Sequence, residues 1–262
     1  MILDLFKLDG KVAVVTGASR GIGRAVSLAL AEAGARVVCV SRKLVEVEKT
    51  VADIRSTGGD GAALECDVLD GARRGDLVDA AVDRFGRIDI LVNNVGGWPP
   101  TPALDTTDEH FEKAFRFNVT HAFSLTRAAA PRMVETAGGG SVINISSAAG
   151  VNPAPCFAAY GTAKAAMNFL TRELAQDFAP KIRVNAVACG SVETEALATI
   201  LNDEIRATMV SMTPLGRIAT VEDIAACALY LASPAASYVT GQIVGVDGGL
   251  NGVNMEMPRA RL

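Results

Sequence analysis

At 262 residues, half of them apolar, the chain can build a substantial core, and its formal net charge of −4 and pI near 5.3 exclude the cationic excess that nucleic acid or an anionic membrane surface would attract. Five dispersed cysteines without a CxxC pair exclude a disulfide framework and a structural zinc site, and His110 and His121 are too few for a histidine-rich centre, so no metal is expected. No apolar run reaches the roughly 18 residues of a spanning helix, and the start MILDLFKLDG is too short and too acidic for a signal peptide, which makes the cytoplasm the expected location.

Short β-branched runs alternate with amphipathic stretches along the chain. Strands are predicted at 12–16, 36–41, 62–66, 90–93, 141–146, 183–188 and 242–246, with helices near 21–33, 43–57, 71–85, 107–136, 159–179 and 221–232. This alternation implies an α/β fold, a doubly wound, seven-stranded, mostly parallel sheet with helices on both faces, in a single domain over 1–262. Thr107 with Asp108 and Glu109 marks one helix start, and the capping box from Thr220 to Asp223 marks another. The segment 191–215 breaks the alternation. It carries Leu197, Leu201 and Ile205 at helical spacing, then Met209 and Met212, beyond the carboxyl end of a strand where open α/β sheets bind ligands; it is expected to be a lid over an apolar substrate.

The first strand runs into "VAVVTGASRGIGRAV", with Gly17, Gly21 and Gly23 spaced GxxxGxG before a helix. Glycines there let backbone N–H groups approach a pyrophosphate at a helix N-terminus, where the dipole favours negative charge. The spacing is neither GxGxxG nor the ATP-type GxxxxGK[ST]. The second strand ends at Ser41, where an NAD enzyme places a carboxylate on the ribose 2′-hydroxyl. With no carboxylate to repel a 2′-phosphate, Arg42 and Arg20 can clamp one, so NADP(H) is the expected cofactor, with NAD(H) left open.

Tyr160 and Lys164 stand four apart on a predicted helix, hence on one face. A phenol with pKa near 10 is a poor acid–base group at neutral pH. A cation ~4 Å away at an effective dielectric of 20 is worth about 4 kcal/mol, on the order of three pKa units, so Lys164 is expected to make Tyr160 usable.

These motifs, in register from Lys11 to about Gly249, resemble the short-chain dehydrogenases/reductases, a Rossmann-type family. The resemblance runs through Asp67-Val68, Asn93-Asn94-Val95-Gly96, Asn118, Ser147, Tyr160, Lys164, Gly190, Thr194 and Asp247-Gly248-Gly249. It implies that Tyr160 exchanges a proton with the substrate oxygen and that Ser147 binds the carbonyl, Ser146 being turned away by strand alternation. It further implies that Lys164 binds the nicotinamide ribose and that Asn118 anchors a relay water. It assigns the cofactor to Gly17, Ser19, Arg20, Gly21, Ile22, Gly23, Ser41, Arg42, Asp67, Val68, Asn94, Gly96, Tyr160, Lys164, Gly190, Val192 and Thr194. In that scheme Asp67 meets the adenine, Asn93 shapes the floor of the adenosine site and Thr194 holds the carboxamide. A homotetramer is also implied.

The chain departs from the family after its sixth strand, where Cys189 replaces the usual proline of Pro-Gly and gives up a fixed φ. The exchange reads as a tolerated packing swap; a looser nicotinamide site and a thiol exposed near the cofactor are the other outcomes it permits. Trp98-Pro99-Pro100, Pro155-Cys156-Phe157 and the apolar lid border the expected cleft, which suits a hydrophobic ketone or secondary alcohol. The stretch from 194 to 243 is similar both to bacterial hydroxysteroid dehydrogenases of the 7α type and to 3-oxoacyl carrier-protein reductases. The latter must dock an acidic carrier, for which Lys181 and Arg183 supply a slight basic patch. A cofactor-binding regulatory protein without turnover is the reading of another class, disfavoured by an intact Asn118, Ser147, Tyr160 and Lys164.

Overall fold

The computed structural model describes residues 1–199, 201–252, 254 and 255; residue 200 of the expected lid and positions 253 and 256–262 of the expected domain lie outside the described residues. Its strands are β1 (Val12–Thr16), β2 (Arg36–Ser41), β3 (Gly61–Glu65), β4 (Ile90–Asn93), β5 (Gly140–Ser147), β6 (Ile182–Cys189) and β7 (Ile243–Val246). They form one sheet in the order β3-β2-β1-β4-β5-β6-β7, and every pairing is parallel.

Successive strand residues serve opposite faces, as the pleat requires. Ala13 and Val15 pack with Val26 and Leu30 of α1 (Gly21–Glu32), Val47 and Ile54 of α2 (Leu44–Ser56), and a later helix carrying Ile224 and Ala228. Val14, between them, packs with Leu77 of α3 (Arg73–Phe85) and with helices carrying Leu125 and Leu174. The order reverses between β1 and β4, which opens a crevice at their carboxyl ends.

The stretch expected as one long helix is three pieces: α4 (Asp108–Phe115), a π-helical turn over Arg116–Thr120, and α5 (His121–Ala137). Single π turns are frequent at functional sites, and this one holds Asn118. α6 (Ala158–Phe178) follows β5. The irregular segment after β6 contains α7 (Glu195–Ala198) and α8 (Asp203–Met212), and α9 (Val221–Ala232) crosses over to β7. Both expected caps form: Thr107 accepts from the His110 N–H, and Thr220 and Asp223 close a capping box.

Boundary shifts have local causes. β7 begins one residue late because the Gln242 N–H donates to the Asn185 side-chain oxygen at 3.0 Å. α3 begins at Arg73 rather than 71 because Asp70 takes the Ala72 N–H at 3.0 Å in a turn of its own.

At the opposite end of the sheet from the crevice, Asp89 is 4% exposed and accepts from Arg87 at 2.7 and 2.8 Å, from Lys11 at 3.0 Å and from the Val12 N–H at 3.0 Å. Burial alone would raise its pKa, but these donors together hold the carboxyl below its ordinary value. A depressed carboxyl contributes stability above the usual Asp range and loses it as pH falls through the native value. Asp89→Asn should therefore cost about 3 kcal/mol in urea unfolding at pH 7, with the gap to wild type closing as the pH falls below the usual Asp range.

Candidate active site

β1 delivers the chain into the glycine turn, and the turn is too close-packed for side chains. A Cβ on Gly23 would stand 2.2 Å from the Gly17 carbonyl oxygen and 2.5 Å from Asn94 Nδ2, while Gly17 itself has φ +65°. From β4, Asn94 Nδ2 donates to the Thr16 and Gly17 carbonyls at 2.9 and 3.3 Å. Gly21 opens α1, so free N–H groups at the first turn face the crevice. The donor set fits a pyrophosphate: backbone N–H groups at the first turn of α1, in a glycine turn where a Cβ at Gly17 or Gly23 has no room beside Asn94 and the Gly17 carbonyl.

Beside the cradle lies a cleft of about 560 Å³ lined by Ser19, Arg20, Ser41, Arg42, Asp67 and Val68 among others. The Ser41 hydroxyl donates to the Lys43 carbonyl at 3.0 Å and accepts the Lys43 N–H at 3.2 Å, closing the turn between β2 and α2. Asp67 turns its own loop by accepting the Leu69 N–H at 3.0 Å. Arg74 braces that loop from outside, donating to the Val68 and Leu69 carbonyls at 2.7 and 3.0 Å. The same cleft is lined by Lys43, Glu46, Leu69 and Phe117, which sequence reasoning did not single out. Lys43 and Glu46 were findable as the charges directly after Arg42; Phe117 was not, because its position depends on the π turn.

Not every expected residue turns its side chain to the cleft. Ile22 packs against the core, and Val192, 7% exposed, belongs to the core and bridges to Ala219, so any cofactor contact from these two is through backbone. Gly190 lies where a Cβ would be 2.8 Å from the Asp247 Cα, and Thr194 caps α7 with its methyl beside Gly21. Asn93 corrects the expectation placed on it. Its amide donates to Thr126 at 3.0 Å and to Asn144 at 2.9 Å, on the face toward α5 and α6, so it ties the sheet to its helices rather than flooring the adenosine site.

The Tyr160, Lys164, Ser147 and Asn118 side chains converge at the carboxyl ends of β4 and β5. Lys164, 3% exposed, donates to the Ile145 carbonyl at 2.9 Å, and its ammonium lies 5.8 Å from the centroid of the Tyr160 ring. Ser147 ends β5 next to the Tyr160 phenol, and its oxygen accepts the Ala149 N–H at 3.1 Å. Ser146 points away as expected, donating to Asn168 at 2.6 Å. Asn118 is fully buried and clasps Gly97, accepting its N–H at 2.9 Å and donating to its carbonyl at 3.1 Å. A Cβ on Gly96 would stand 2.8 Å from Lys164 Nζ and 2.9 Å from Asn118 Oδ1, so that glycine brings the lysine and the asparagine to one spot. Neighbouring His121, also buried, meets the Val95 carbonyl through Nε2 at 3.1 Å, and burial, assisted by Lys164, pulls its pKa to about 4.

Electrostatics here reverse one expectation. Burial pushes Tyr160 up to about 12, with only the Ser147 hydroxyl pulling the other way, and burial pulls Lys164 down to about 8. The ammonium is held by the Ile145 carbonyl and lies over the ring rather than beside the hydroxyl, so in this arrangement desolvation outweighs the attraction counted on from the i, i+4 spacing. Cys189 is 6% exposed and its thiol is pushed up to about 12 by burial, which disposes of the exposed thiol and leaves the packing swap and the looser nicotinamide site.

Around the mouth, Trp98 donates to His110 Nε2 at 2.7 Å, the Thr101 N–H donates to the Cys156 carbonyl at 2.8 Å, and the Phe157 ring lies 6.0 Å from that of Tyr160. Both ends of the segment after β6 are tied to Asn254, which accepts from Ser191 at 2.6 Å and donates to Thr213 at 3.0 Å.

Comparison with known proteins agrees with this geometry. A family model described as enoyl-(acyl carrier protein) reductase matches residues 17–251. An uncharacterized oxidoreductase of Mycobacterium tuberculosis is 49% identical over 98% of both chains, and the 7α-hydroxysteroid dehydrogenase of Escherichia coli is 40% identical over 94% of this chain and 96% of its own. A solved 7α-hydroxysteroid dehydrogenase complexed with NADH and 7-oxo glycochenodeoxycholic acid matches with a TM-score of 0.92 at 40% identity, over 96% of this chain and 98% of that one. A family model matching nearly the whole chain and relatives alike over nearly their whole length, in agreement with a glycine turn joined to a tyrosine, lysine, serine and asparagine cluster, mean that this chain belongs to the short-chain dehydrogenase/reductase family of oxidoreductases.

Proposed function

We propose that the protein interconverts a hydrophobic ketone and its secondary alcohol, with a hydroxysteroid as the substrate class and NADP(H) as the preferred cofactor. The observation that carries this is the convergence of Ser147, Tyr160, Lys164 and Asn118 at the carboxyl ends of β4 and β5, joined to the glycine turn by the short run from Asn94, which bonds the Gly17 carbonyl, to Gly97, which Asn118 clasps. The substrate class rests on similarity to 7α-hydroxysteroid dehydrogenases and on the apolar rim of Trp98 and Phe157. The cofactor preference rests on Arg20 and Arg42 in a cleft where Ser41 stands in place of a carboxylate.

When bound, the nicotinamide supplies or accepts the hydride. The chain's own residues do the rest. Ser147 donates a hydrogen bond to the substrate oxygen and stabilises the negative charge developing there. Tyr160 Oη gives that oxygen its proton in reduction and takes it back in oxidation. Lys164 keeps a cation beneath the phenol ring, where it favours the phenolate that reduction leaves behind. Asn118, braced on both polar atoms of Gly97, holds the end of the proton path next to Lys164. The segment 191–215 closes over the apolar substrate as part of one domain spanning 1–262.

A homotetramer in the cytoplasm belongs to the same reading. Phe123 on α5 and Phe169 on α6, 37% and 59% exposed, offer apolar surface for assembly, and no helix among the described residues is long and apolar enough to cross a membrane. Reduction of 3-oxoacyl carrier-protein thioesters is less well supported. Arg183, half of the basic patch such a carrier would need, spends its guanidinium on the Leu231 and Val239 carbonyls at 2.8 and 3.2 Å.

Tyr160→Phe should lower kcat by about 10³ or more while the affinity for reduced cofactor, read from its fluorescence, stays within about twofold; retained turnover overturns the assignment. A panel of ketones and alcohols that includes 7-oxo and 7-hydroxy steroids should give the highest kcat/KM with a steroid and NADPH. Arg42→Ala should raise the KM for NADPH about tenfold and leave that for NADH unchanged, and equal efficiency with both cofactors in the wild type would remove the NADP(H) preference.

A further inference from the structure

The cleft beside the glycine cradle holds more charge than the two arginines on which the NADP(H) reading rests. Lys43, at the N-terminal boundary of α2, and Glu46, in its first turn, line it together with Arg20 and Arg42. Lys43 Nζ and Glu46 Oε1 are 2.9 Å apart, with the two side chains 74% and 39% exposed. Lys43, with Arg20 and Lys49 adding to it, holds the Glu46 carboxyl below its ordinary value, so at neutral pH Glu46 is an anion facing the cationic wall. The backbone of Lys43 is fixed by both hydrogen bonds to Ser41, so its side chain starts from a set point at the cleft edge.

Three cations, Arg20, Arg42 and Lys43, and two carboxylates, Glu46 and Asp67, line this cleft, and of the carboxylates Glu46 is the one paired with a cation there, which makes a tunable anion site. We propose that Lys43 is a third ligand for the 2′-phosphate and that Glu46, by pairing with Lys43, weakens that phosphate site and sets the balance between NADPH and NADH. A dianionic phosphate out-competes a single carboxylate for the lysine, because an exposed pair of this kind is weak and costs little to separate. NADH has no 2′-phosphate and leaves the Lys43–Glu46 pair undisturbed. Glu46 therefore lowers affinity for one cofactor only, and its carboxylate is a specificity-determining group with no part in hydride or proton transfer.

The inference rests on the proposed dinucleotide site, and binding rather than turnover tests it. NADPH and NADH are titrated by fluorescence against the full-length wild type, Glu46→Gln, Lys43→Ala and the double variant. Both positions are on the surface of a helix whose buried side is Val47, Val51 and Ile54, so circular dichroism of each variant should match the wild type. Glu46→Gln should tighten NADPH about fivefold and leave NADH within about twofold, and Lys43→Ala should weaken NADPH about tenfold. In the double variant the gain from Glu46→Gln should vanish, since it acts through Lys43. A gain confined to NADPH supports the inference whichever cofactor the wild type prefers; an unchanged NADPH-to-NADH ratio in Glu46→Gln, or a gain that survives Lys43→Ala, overturns it. A wild type that binds neither nucleotide overturns the cofactor reading itself.

Discussion

Everything at the active end of the molecule depends on a close approach of backbone to backbone between β1 and α1. Gly23 lies so near the Gly17 carbonyl that a Cβ would meet it at 2.2 Å, and Asn94 Nδ2 fills the remaining side of the same contact. That contact ties the first strand, the first helix and the end of β4 into one rigid corner. The corner then sets where β4 releases its chain: Val95 meets His121, Gly96 meets Lys164 and Asn118, and Gly97 is clasped by Asn118. The glycine turn and the cluster of Tyr160, Lys164, Ser147 and Asn118 are thus two ends of one short, glycine-spaced run of backbone.

Burial at that second end has an electrostatic cost. Tyr160 is pushed up to about 12 and Lys164 down to about 8, both by desolvation. The fold retains the lysine there because the Ile145 carbonyl accepts from its ammonium and because β5 and α6 enclose it. In the proposed reaction, a buried cation under the phenol ring favours the state in which Tyr160 has given up its proton. The cleft beside the glycine turn is built the opposite way, with Lys43 and Glu46 an exposed, loosely held pair that solvent screens.

Connections across the mouth join elements remote in sequence. Trp98 reaches α4 through His110, the loop before α6 reaches Thr101 through the Cys156 carbonyl, and Asn254 bonds both ends of the segment containing α7 and α8. Such ties hold an apolar rim in shape while leaving few buried contacts in α7, which has no buried residue of its own.

How much of this was legible in the sequence follows from the range of each interaction. Alternating patterns of period 2 and 3.6 placed all seven strands and all six long helical stretches within a few residues, because pleat and helix face are set by neighbours in the chain. The glycine loop and the Tyr160–Lys164 pair were legible for the same reason, their chemistry being carried by fixed short spacings. What the tertiary structure alone decided involves partners tens of residues apart. Asn93 turns away from the cofactor because Thr126 and Asn144 claim its amide. Asn118 enters the site on a π turn that helical periodicity cannot foresee, and Lys164 lies over the Tyr160 ring because Ile145, nineteen residues before it in the chain, takes its proton donor. Local spacing determined which groups are able to meet; desolvation and competing hydrogen-bond partners, which exist only once the sheet is assembled, decided how they meet and with what charge.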